Sequence, residues 1–454
     1  MELLMDKIVS FAKRRGFIFQ SSEIYGGVEA IWDYGPLGSL LKNNIKRLWI
    51  KKFIQERDDI VLIDSSVILH PKVWEASGHI ENFTDPLIEC KSCHSRFRAD
   101  YMAEGAFLGQ GKAKEKNQCP LCGGKEFTPP RQFNLMFKTF LGPVEDESHL
   151  TFLRPETAQS MFLDFNLVLQ TLRLKIPFGI GQIGKAFRNE ITTGNFIFRS
   201  REFEIGEIEY FVEPKDDEKF FDYWVKEWKN FIISLGIKEE NLRLYEHKKE
   251  SLAHYSKRTM DIEYKFPFGW GELAGIANRT DFDLKAHSKM SGKDLSYFDD
   301  LKKKRYIPFV IEPTLGIDRL FLAILCDAFE EIKGGRTITT QKTKEVEILL
   351  KLNKNLAPIQ IAVFPLLTNK EELIIKSKEI CKLLKNHFFC EYDENGSIGR
   401  RYRRFDEIGC PFAVTIDFQT LEDDTVTVRD RDTMFQERIK VSDLISYFKD
   451  KFNV

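Results

Sequence analysis

Two short segments place arginine beside a carboxylate within apolar runs that a folded chain would otherwise bury. The first reads Phe-Arg-Asn-Glu over residues 187–190 and is soon followed by Phe-Arg-Ser-Arg-Glu-Phe over residues 198–203. The second reads Glu-Pro-Thr-Leu-Gly-Ile-Asp-Arg over residues 312–319. Arginine cannot lose its charge in a protein, and an unpaired buried charge is costly. We therefore expect these guanidinium groups to serve an anionic partner, and phosphate matches their planar fork.

The composition indicates a globular chain with more than one domain. A length of 454 residues exceeds what one core usually supports, so two or three domains are expected. The 68 basic and 69 acidic side chains nearly balance, which argues against nonspecific nucleic-acid affinity over the whole surface but allows a local basic patch. The sequence has no apolar run of about 18 residues and no secretion-signal order at its start, so we expect no membrane span and a cytoplasmic location.

Apolar periodicity divides the chain into two units, residues 1–353 and residues 357–454. In the first unit a strand is predicted from Ile60 to Leu69, and residues 131–330 alternate in a way that favours an antiparallel sheet backed by helices. Residues 84–130 are rich in Cys, Gly and Lys and indicate an inserted module. The second unit alternates helix and strand, as in a small α/β domain.

Four cysteines in the inserted module have the spacing of a metal site. Cys90 and Cys93 form one C-x2-C pair and Cys119 and Cys122 form another, with 25 residues between the pairs. Two such pairs can supply four thiolates to a tetrahedral zinc ion, and a site closed in this way is structural. The alternative is a set of four reduced thiols without metal.

Side chains alternate along the first arginine-containing segment in a way that predicts a hairpin. Arg188 and Glu190 would share one face of a strand, and Arg199, Arg201 and Phe203 would return along its partner. Such a face suits a nucleotide, because arginines can bind phosphates and an aromatic ring can stack on a base. A salt-bridged sheet face without a ligand is the alternative.

A cluster of arginines in the second unit suggests contact with RNA. Arg400, Arg401, Arg403 and Arg404 surround Tyr402. Arginines contact phosphate and a tyrosine can stack on an unpaired base, although most charge runs are simply solvated faces.

A glycine pattern at residues 179–184 matches G-x-G-x-x-G. A dinucleotide site requires this pattern to open a helix, whereas here it precedes a predicted strand. We therefore expect no dinucleotide site.

The strand that ends at Pro71 and continues through Trp74–His79 looks like motif 1 of a known family, Phe187–Phe203 like motif 2, and Gly316–Arg319 like motif 3. Further matches are Arg154–Gln159, Gly271–Asp281, Ile398–Arg404 and Val428–Asp432. Over almost its whole length the chain resembles class II aminoacyl-tRNA synthetases, and specifically the dimeric type of glycyl-tRNA synthetase.

This resemblance implies an α+β fold: a class II antiparallel sheet flanked by helices, a zinc-ribbon-like insertion and a C-terminal α/β anticodon-binding domain. It also implies a homodimer that joins glycine to tRNA(Gly) with ATP and Mg²⁺, with zinc as a structural ion. Two alternatives stay open: another class II synthetase, and a noncatalytic nucleic-acid-binding accessory subunit.

The resemblance also assigns roles to individual residues. Arg188 and Arg319 would be the catalytic arginines; Phe203 would stack on adenine with Arg319 on the opposite face, and Glu272 and Glu312 would be magnesium candidates. The residues expected to bind ATP are Arg188, Asn189, Glu190, Phe198, Arg199, Ser200, Arg201, Glu202, Phe203, Glu272, Leu273, Gly316, Ile317, Asp318 and Arg319. The residues expected to bind glycine are Arg98, Glu156, Phe203, Glu204, Ile205, Gly206, Glu207, Glu312, Pro313, Thr314, Leu315 and Gly316. The residues expected to bind tRNA are Arg400, Arg401, Arg403 and Arg404.

Overall fold

A seven-stranded sheet forms the centre of the first unit in the computed structural model, which describes residues 2–105, 111–337 and 346–452. Its strands in chain order are β1 (Ile60–Leu62), β2 (Phe178–Phe187), β3 (Glu202–Val212), β4 (Leu242–Glu246), β5 (Arg258–Phe266), β6 (Gly269–Thr280) and β7 (Phe309–Gly316). The spatial order is β4-β5-β6-β7-β3-β2-β1. Every neighbouring pair is antiparallel except β1 and β2. The predicted antiparallel sheet is therefore confirmed.

One face of this sheet is covered by helices α1 (Pro36–Ile50), α2 (Asp217–Ser234) and α3 (Ile317–Ala328). Buried aromatic rings, among them Trp49 and Trp228, fill the space between helices and sheet. Successive side chains of a strand point to opposite faces. Ile208 and Tyr210 of β3 therefore join this core, whereas the glutamates at 207 and 209 point to the other face, where a cavity opens.

Shorter elements complete the structure. The remaining α-helices are Glu2–Arg14, Pro71–Ala76, His79–Asn82, Ala99–Glu104, Ala158–Leu163, Phe165–Leu172, Phe282–Ser291, Glu371–Lys385, Ile398–Glu407, Phe418–Asp423 and Leu444–Phe452. The remaining strands are Ile18–Gln20, Trp32–Tyr34, Ile68–Leu69, Thr84–Glu89, Arg96–Arg98, Arg131–Asn134, Lys138–Phe140, Leu150–Leu153, Tyr297–Asp299, Lys304–Tyr306, Phe329–Lys333, Val346–Leu350, Ile361–Pro365, Cys390–Tyr392, Phe412–Ile416, Thr425–Asp430 and Gln436–Lys440. Among the described residues, no helix has the length and apolar character needed to cross a bilayer.

The strand predicted from Ile60 to Leu69 is two strands in different sheets. Residues 60–62 pair with β2, whereas Ile68 and Leu69 pair with the strand Leu150–Leu153. Between the two strands, side chains form hydrogen bonds with the backbone. The amide of Ser65 donates to the Gln182 side chain at 2.9 Å, and the carbonyl of Ser65 accepts from the Arg154 side chain at 3.0 Å. The two backbone polar groups of Ser65 are therefore paired where the chain leaves the sheet.

The predicted hairpin is present, but its strands stop short of the arginines. Pairing runs from Phe178 opposite Phe211 to Phe187 opposite Glu202, so residues 188–201 form the connecting loop. The G-x-G-x-x-G pattern lies within β2, in a strand as predicted. A Cβ atom on its last glycine, Gly184, would lie 2.3 Å from the Arg154 guanidinium, so that glycine has a packing role.

The second unit is a five-stranded mixed sheet within residues 361–440. Its first three strands in spatial order, Cys390–Tyr392, Ile361–Pro365 and Phe412–Ile416, are parallel. Thr425–Asp430 and Gln436–Lys440 complete the sheet in antiparallel fashion. The α/β expectation for this unit is confirmed.

Candidate active site

A cavity of about 240 Å³ opens on the face of the sheet that the three helices leave uncovered. Strands β3, β6 and β7, the loop 188–201 and the first turn of α3 form its walls. The predicted residues that line it are Glu156, Arg188, Glu190, Phe198, Arg199, Ser200, Phe203, Glu204, Ile205, Glu207, Glu272, Leu273, Glu312, Thr314, Gly316, Asp318 and Arg319. The predicted residues outside its lining are Arg98, Asn189, Arg201, Glu202, Gly206, Pro313, Leu315 and Ile317.

Two arginines of the loop form one cationic wall. The Nε atom of Arg188 donates to the carbonyl of Pro155 at 3.0 Å, and its guanidinium lies 5.4 Å from the centre of the Phe203 ring. Arg199 donates through Nε to Glu190 at 3.2 Å. Both side chains are thus anchored through Nε, Arg199 donates through Nη1 to the Tyr101 hydroxyl as well, and both guanidinium groups lie beside the cavity.

Arg319 at the start of α3 supplies the third cation. Its guanidinium lies 4.5 Å from the centre of the Phe198 ring and donates through Nη1 to the Glu272 carboxylate at 2.9 Å. Sequence reasoning placed this arginine across a base from Phe203. In the structure its aromatic neighbour is Phe198, whereas Phe203 lies beside Arg188.

At the other end of the cavity the wall is made of buried carboxylates. Glu207 accepts a hydrogen bond from the hydroxyl of Thr314 at 2.9 Å and a short one from the hydroxyl of Thr157. Strand alternation brings Glu207 into this wall, and pairing of β3 with β7 sets it directly opposite Thr314. The hydroxyl of Thr314, a residue expected to bind glycine, therefore orients a carboxylate.

Glu156 lies in the same wall and is held ionised. His79 Nε2 approaches its carboxylate to 3.3 Å, and Gln159 donates to it at 2.9 Å. Burial alone would raise the pKa of Glu156, but His79 and then Arg279 outweigh burial and hold the pKa well below its ordinary value. Glu156 therefore faces the cavity as a carboxylate at neutral pH.

Arg279 lies beneath these carboxylates and was not assigned a role from the sequence. It is only 1% exposed, donates to both oxygens of Glu312 at 3.0 Å, and pairs with Asp283 at 2.8 and 2.9 Å. The ring of Tyr255 covers it at 3.9 Å. The signal was available, since Arg279 is another arginine in an apolar run. Asp283 is four residues away, but Glu312 and Tyr255 come from other segments.

Glu209 is the most unusual acid in the cluster. It is fully buried, and neither carboxylate oxygen has a hydrogen-bond partner among the described residues. Its carboxylate lies with those of Glu207 and Glu312 in a group whose ligand atoms are all within 4.8 Å of one another. Burial, and next the Glu312 carboxylate, raise the pKa of Glu209 well above its ordinary value.

We expect Glu209→Gln to stabilise the protein more at pH 8 than at pH 5.5. The folded state holds a proton on Glu209 more tightly than the unfolded state, so this residue's contribution to stability falls as pH rises toward the raised pKa. Glutamine lacks this titration, so the advantage of the variant should grow with pH. Melting temperatures of both proteins at the two pH values test this, and an advantage that shrinks at pH 8 would contradict it.

Comparison with known proteins identifies the chain's relatives. Residues 137–328 match a tRNA synthetase class II core domain (G, H, P, S and T), and residues 360–451 match an anticodon binding domain. The glycine–tRNA ligase of Thermobifida fusca is 54% identical over 455 residues, covering 98% of each chain. That of Acetivibrio thermocellus is 53% identical over 467 residues, covering 99% of this chain and 98% of the relative. The chain belongs to the glycine–tRNA ligase family.

Within this family member, Arg98 does not reach the cavity. It pairs with Asp85 and Asp100, each at 2.7 Å, and lies over the Tyr101 ring at 4.3 Å. Sequence reasoning expected it to close over the amino acid. In this structure it is held in the inserted module instead. Tyr101, on which Arg98 packs, accepts a hydrogen bond from the cavity-lining Arg199.

The two magnesium candidates differ in their surroundings. Both oxygens of Glu312 accept from Arg279, which leaves this carboxylate poorly suited to ligate a metal ion. Glu272 has a half-exposed side chain at the mouth of the cavity, beside Arg319. Magnesium is a hard cation that binds few protein carboxylates together with phosphates. Glu272 therefore remains the better candidate.

The four cysteines of the inserted module converge as predicted. The sulfur atoms of Cys90 and Cys122 are 3.6 Å apart, as are those of Cys93 and Cys119. A tetrahedral zinc with Zn–S bonds of about 2.3 Å separates its sulfurs by about 3.8 Å. The amide of Gly124 also points to Cys122 at 3.3 Å. The four thiols therefore fit a structural zinc ion.

We expect the purified full-length protein to carry about one zinc ion per chain. Cys122→Ser should remove most of it and lower the melting temperature of the module, because three thiolates no longer close the coordination shell. Elemental analysis after dialysis measures the content. Cys326→Ser, outside the module, is the matched control and should retain the metal; loss from both variants would contradict the site.

The four C-terminal arginines do not form one surface. Arg401 is 1% exposed and donates to the carbonyls of Pro365 and Leu366, so its side chain supports the domain and is not available to RNA. Arg404 pairs with Asp393. Arg400 is exposed at the start of its helix. Helix periodicity separates neighbours in sequence, which the run of letters alone does not reveal.

We expect Arg400→Ala to weaken tRNA binding and Arg401→Ala to destabilise the domain. Loss of a phosphate contact at 400 should reduce the salt dependence of tRNA affinity by about one unit of slope. Loss of charged hydrogen bonds at 401 should lower the free energy of unfolding by about 1.5–3 kcal/mol. Filter binding across salt concentrations and denaturant melts distinguish them, and equal stability of both variants would contradict the assignment.

Proposed function

We propose that this chain activates glycine with ATP and transfers the glycyl group to the 3′ end of tRNA(Gly). One observation carries the proposal: a single cavity has arginines 188, 199 and 319 on one wall and buried carboxylates on the other. A triphosphate fits the first wall and an ammonium group fits the second. The family relationship supports the same reaction.

The first step joins the two substrates. The glycine carboxylate attacks the α-phosphorus of ATP, and pyrophosphate leaves with its electron pair to give glycyl-adenylate. Negative charge builds on the α-phosphate oxygens, and we assign its stabilisation to Arg188, which lines the cavity. Such a site works by positioning and preorganised charge, without a covalent role for the protein. Magnesium would neutralise the distal phosphates beside Glu272 and supply the remaining charge.

Selection of glycine depends on the carboxylate wall. Glycine has no side chain, so its ammonium is the positive group that a site can grip. Glu156 and Glu207 are proposed to bind it, with Glu312 behind them. When a pocket simply tolerates an extra or a missing methyl group, the difference in binding free energy between the two ligands is only about 1–3 kcal/mol. Rejection of alanine must therefore come from a rigid wall, and the paired carboxylates and Thr314 supply one.

The second step moves the glycyl group to the tRNA. The 3′-terminal ribose hydroxyl attacks the glycyl carbonyl, and AMP leaves. The second unit would bind the anticodon, with Arg400 as the exposed cation of its arginine cluster. Division of work between the two units means that amino-acid activation does not require the C-terminal arginines.

We also propose a homodimer that acts in the cytoplasm. The segment that resembles motif 1 exposes Leu62 at 45% and Ile68 at 38%, which is consistent with an apolar interface. All eight cysteines are unbridged, as is usual where thiols stay reduced. Sedimentation equilibrium tests the dimer, and a monomer at micromolar concentration would contradict it.

ATP–pyrophosphate exchange with each amino acid in turn tests the function. Only glycine should support exchange, and Glu207→Gln should raise the KM for glycine at least about tenfold while leaving the KM for ATP nearly unchanged. Exchange with threonine, proline or histidine would indicate another class II synthetase. Absence of exchange in a folded protein that still binds tRNA would indicate an accessory subunit.

A further inference from the structure

Tyr101 connects the inserted module to the cationic wall of the cavity. It lies on the helix Ala99–Glu104, and its hydroxyl accepts a short hydrogen bond from Nη1 of Arg199. Two guanidinium groups lie near its ring, that of Arg98 at 4.3 Å and that of Arg199 at 5.5 Å from the ring centre. Tyr101 itself does not line the cavity.

The helix that carries Tyr101 rests on the cysteine core. The next residue, Met102, is 2% exposed and packs in one cluster with Cys90, Cys119 and Phe97. The amide of Asn117 also reaches the carbonyl of Met102 at 3.4 Å. The position of the helix therefore depends on the segments that bring the four cysteines together.

Arg199 needs such support to act on an anion. Fixing an arginine side chain costs about 2 kcal/mol of rotamer entropy. A guanidinium group that is already oriented loses less of this entropy when it binds an anion. Glu190 holds Nε of Arg199 from one side, and Tyr101 holds Nη1 from the other. Two contacts from different segments fix the plane of the guanidinium.

We infer that Tyr101 is a positioning residue that orients Arg199 toward the distal phosphates of ATP, and that the four-cysteine module holds Tyr101 in place. The inference rests on the proposed ATP-dependent function. It gives the inserted module a role beyond its own folding. Loss of the four-cysteine site would then weaken ATP binding in a cavity whose described lining contains no cysteine.

The central test is a double-mutant cycle between Tyr101→Phe and Arg199→Ala in the full-length protein. Phenylalanine keeps the ring and removes the hydroxyl, so we expect the Kd for ATP and the KM for ATP in exchange to rise about threefold to tenfold. The KM for glycine and the zinc content should not change. In the Arg199→Ala background the tyrosine change should add nothing further. Tyr245→Phe, on the outer strand β4, is the matched control.

A second arm tests the link to the cysteines. Cys93→Ser should lower the zinc content and weaken ATP binding, measured by calorimetry, to about the affinity of Tyr101→Phe. The variant that combines both changes should bind ATP no more weakly than either single variant. ATP binding unchanged in the zinc-depleted, folded protein would overturn the link. Additive effects of Tyr101→Phe and Arg199→Ala, or an equal rise in the KM for glycine, would overturn the positioning role. Failure of the unmodified protein to bind ATP would instead refute the proposed function.

Discussion

Replacing Arg279 with methionine is expected to lower the free energy of unfolding by at least about 3–5 kcal/mol. Methionine fills much of the space but leaves Asp283 and Glu312 buried without their shared cation. Five acids surround this point, namely Glu156, Glu207, Glu209, Asp283 and Glu312. Arg279 forms ion pairs with three of them, Asp283 at 2.8 Å, Glu312 at 3.0 Å and Glu156 at 3.9 Å. Breaking a buried pair from one side exposes the full desolvation cost of the charges that remain.

Denaturant unfolding followed by circular dichroism measures this change. Arg305→Met is the control, because Arg305 also pairs with an aspartate, Asp294, at 3.0 Å but on an exposed surface. An exposed ion pair contributes at most about 1 kcal/mol. Equal stability changes in the two variants would show that Arg279 is not the centre of a buried network.

Arg188→Ala is expected to reduce ATP–pyrophosphate exchange by at least about 10²–10³-fold while the protein stays folded. The side chain is only partly buried, and its contacts are one backbone carbonyl and the faces of Phe83 and Phe203. Among the described residues Arg188 forms no salt bridge, so removing it breaks no buried ion pair there. The loss should fall on the chemical step, since charge at the α-phosphate grows toward the transition state.

Exchange rates at saturating ATP and glycine, together with a melting curve, test this expectation. Lys185→Ala is the matched control, since Lys185 is an exposed cation three residues earlier, on β2, and pairs with Glu202 outside the cavity lining. Near-normal exchange by folded Arg188→Ala protein would remove Arg188 from the catalytic wall. A large loss in the control would point to a general effect of charge.

Local patterns were sufficient for several features. Alternation predicted a hairpin whose second strand includes Phe203, and Phe203 lies in β3. The spacing of Cys90, Cys93, Cys119 and Cys122 predicted a shared site, and their ligand atoms lie within 4.8 Å of one another. These predictions succeed because side-chain direction in a strand, and the reach of a C-x2-C turn, depend only on nearby residues.

Other features required partners from distant segments. The predicted strand through Arg188 ends at Phe187, since the loop to Glu202 is held by tertiary contacts such as that to Pro155. Arg401 belongs to a basic run, yet its helix turns it inward. No local pattern distinguishes an arginine that faces a carbonyl in the core from one that faces solvent.

By itself the sequence determined the family, the order of the two units and the residue types available for binding an anion and an ammonium group. The tertiary structure alone decided which charges meet. It set Arg279 under Glu312, left the Glu209 carboxylate without a hydrogen bond to any described residue, and joined Tyr101 to Arg199. The physical reason is that electrostatic pairing depends on distance in space and on burial, and both are set only when strands far apart in the chain come together.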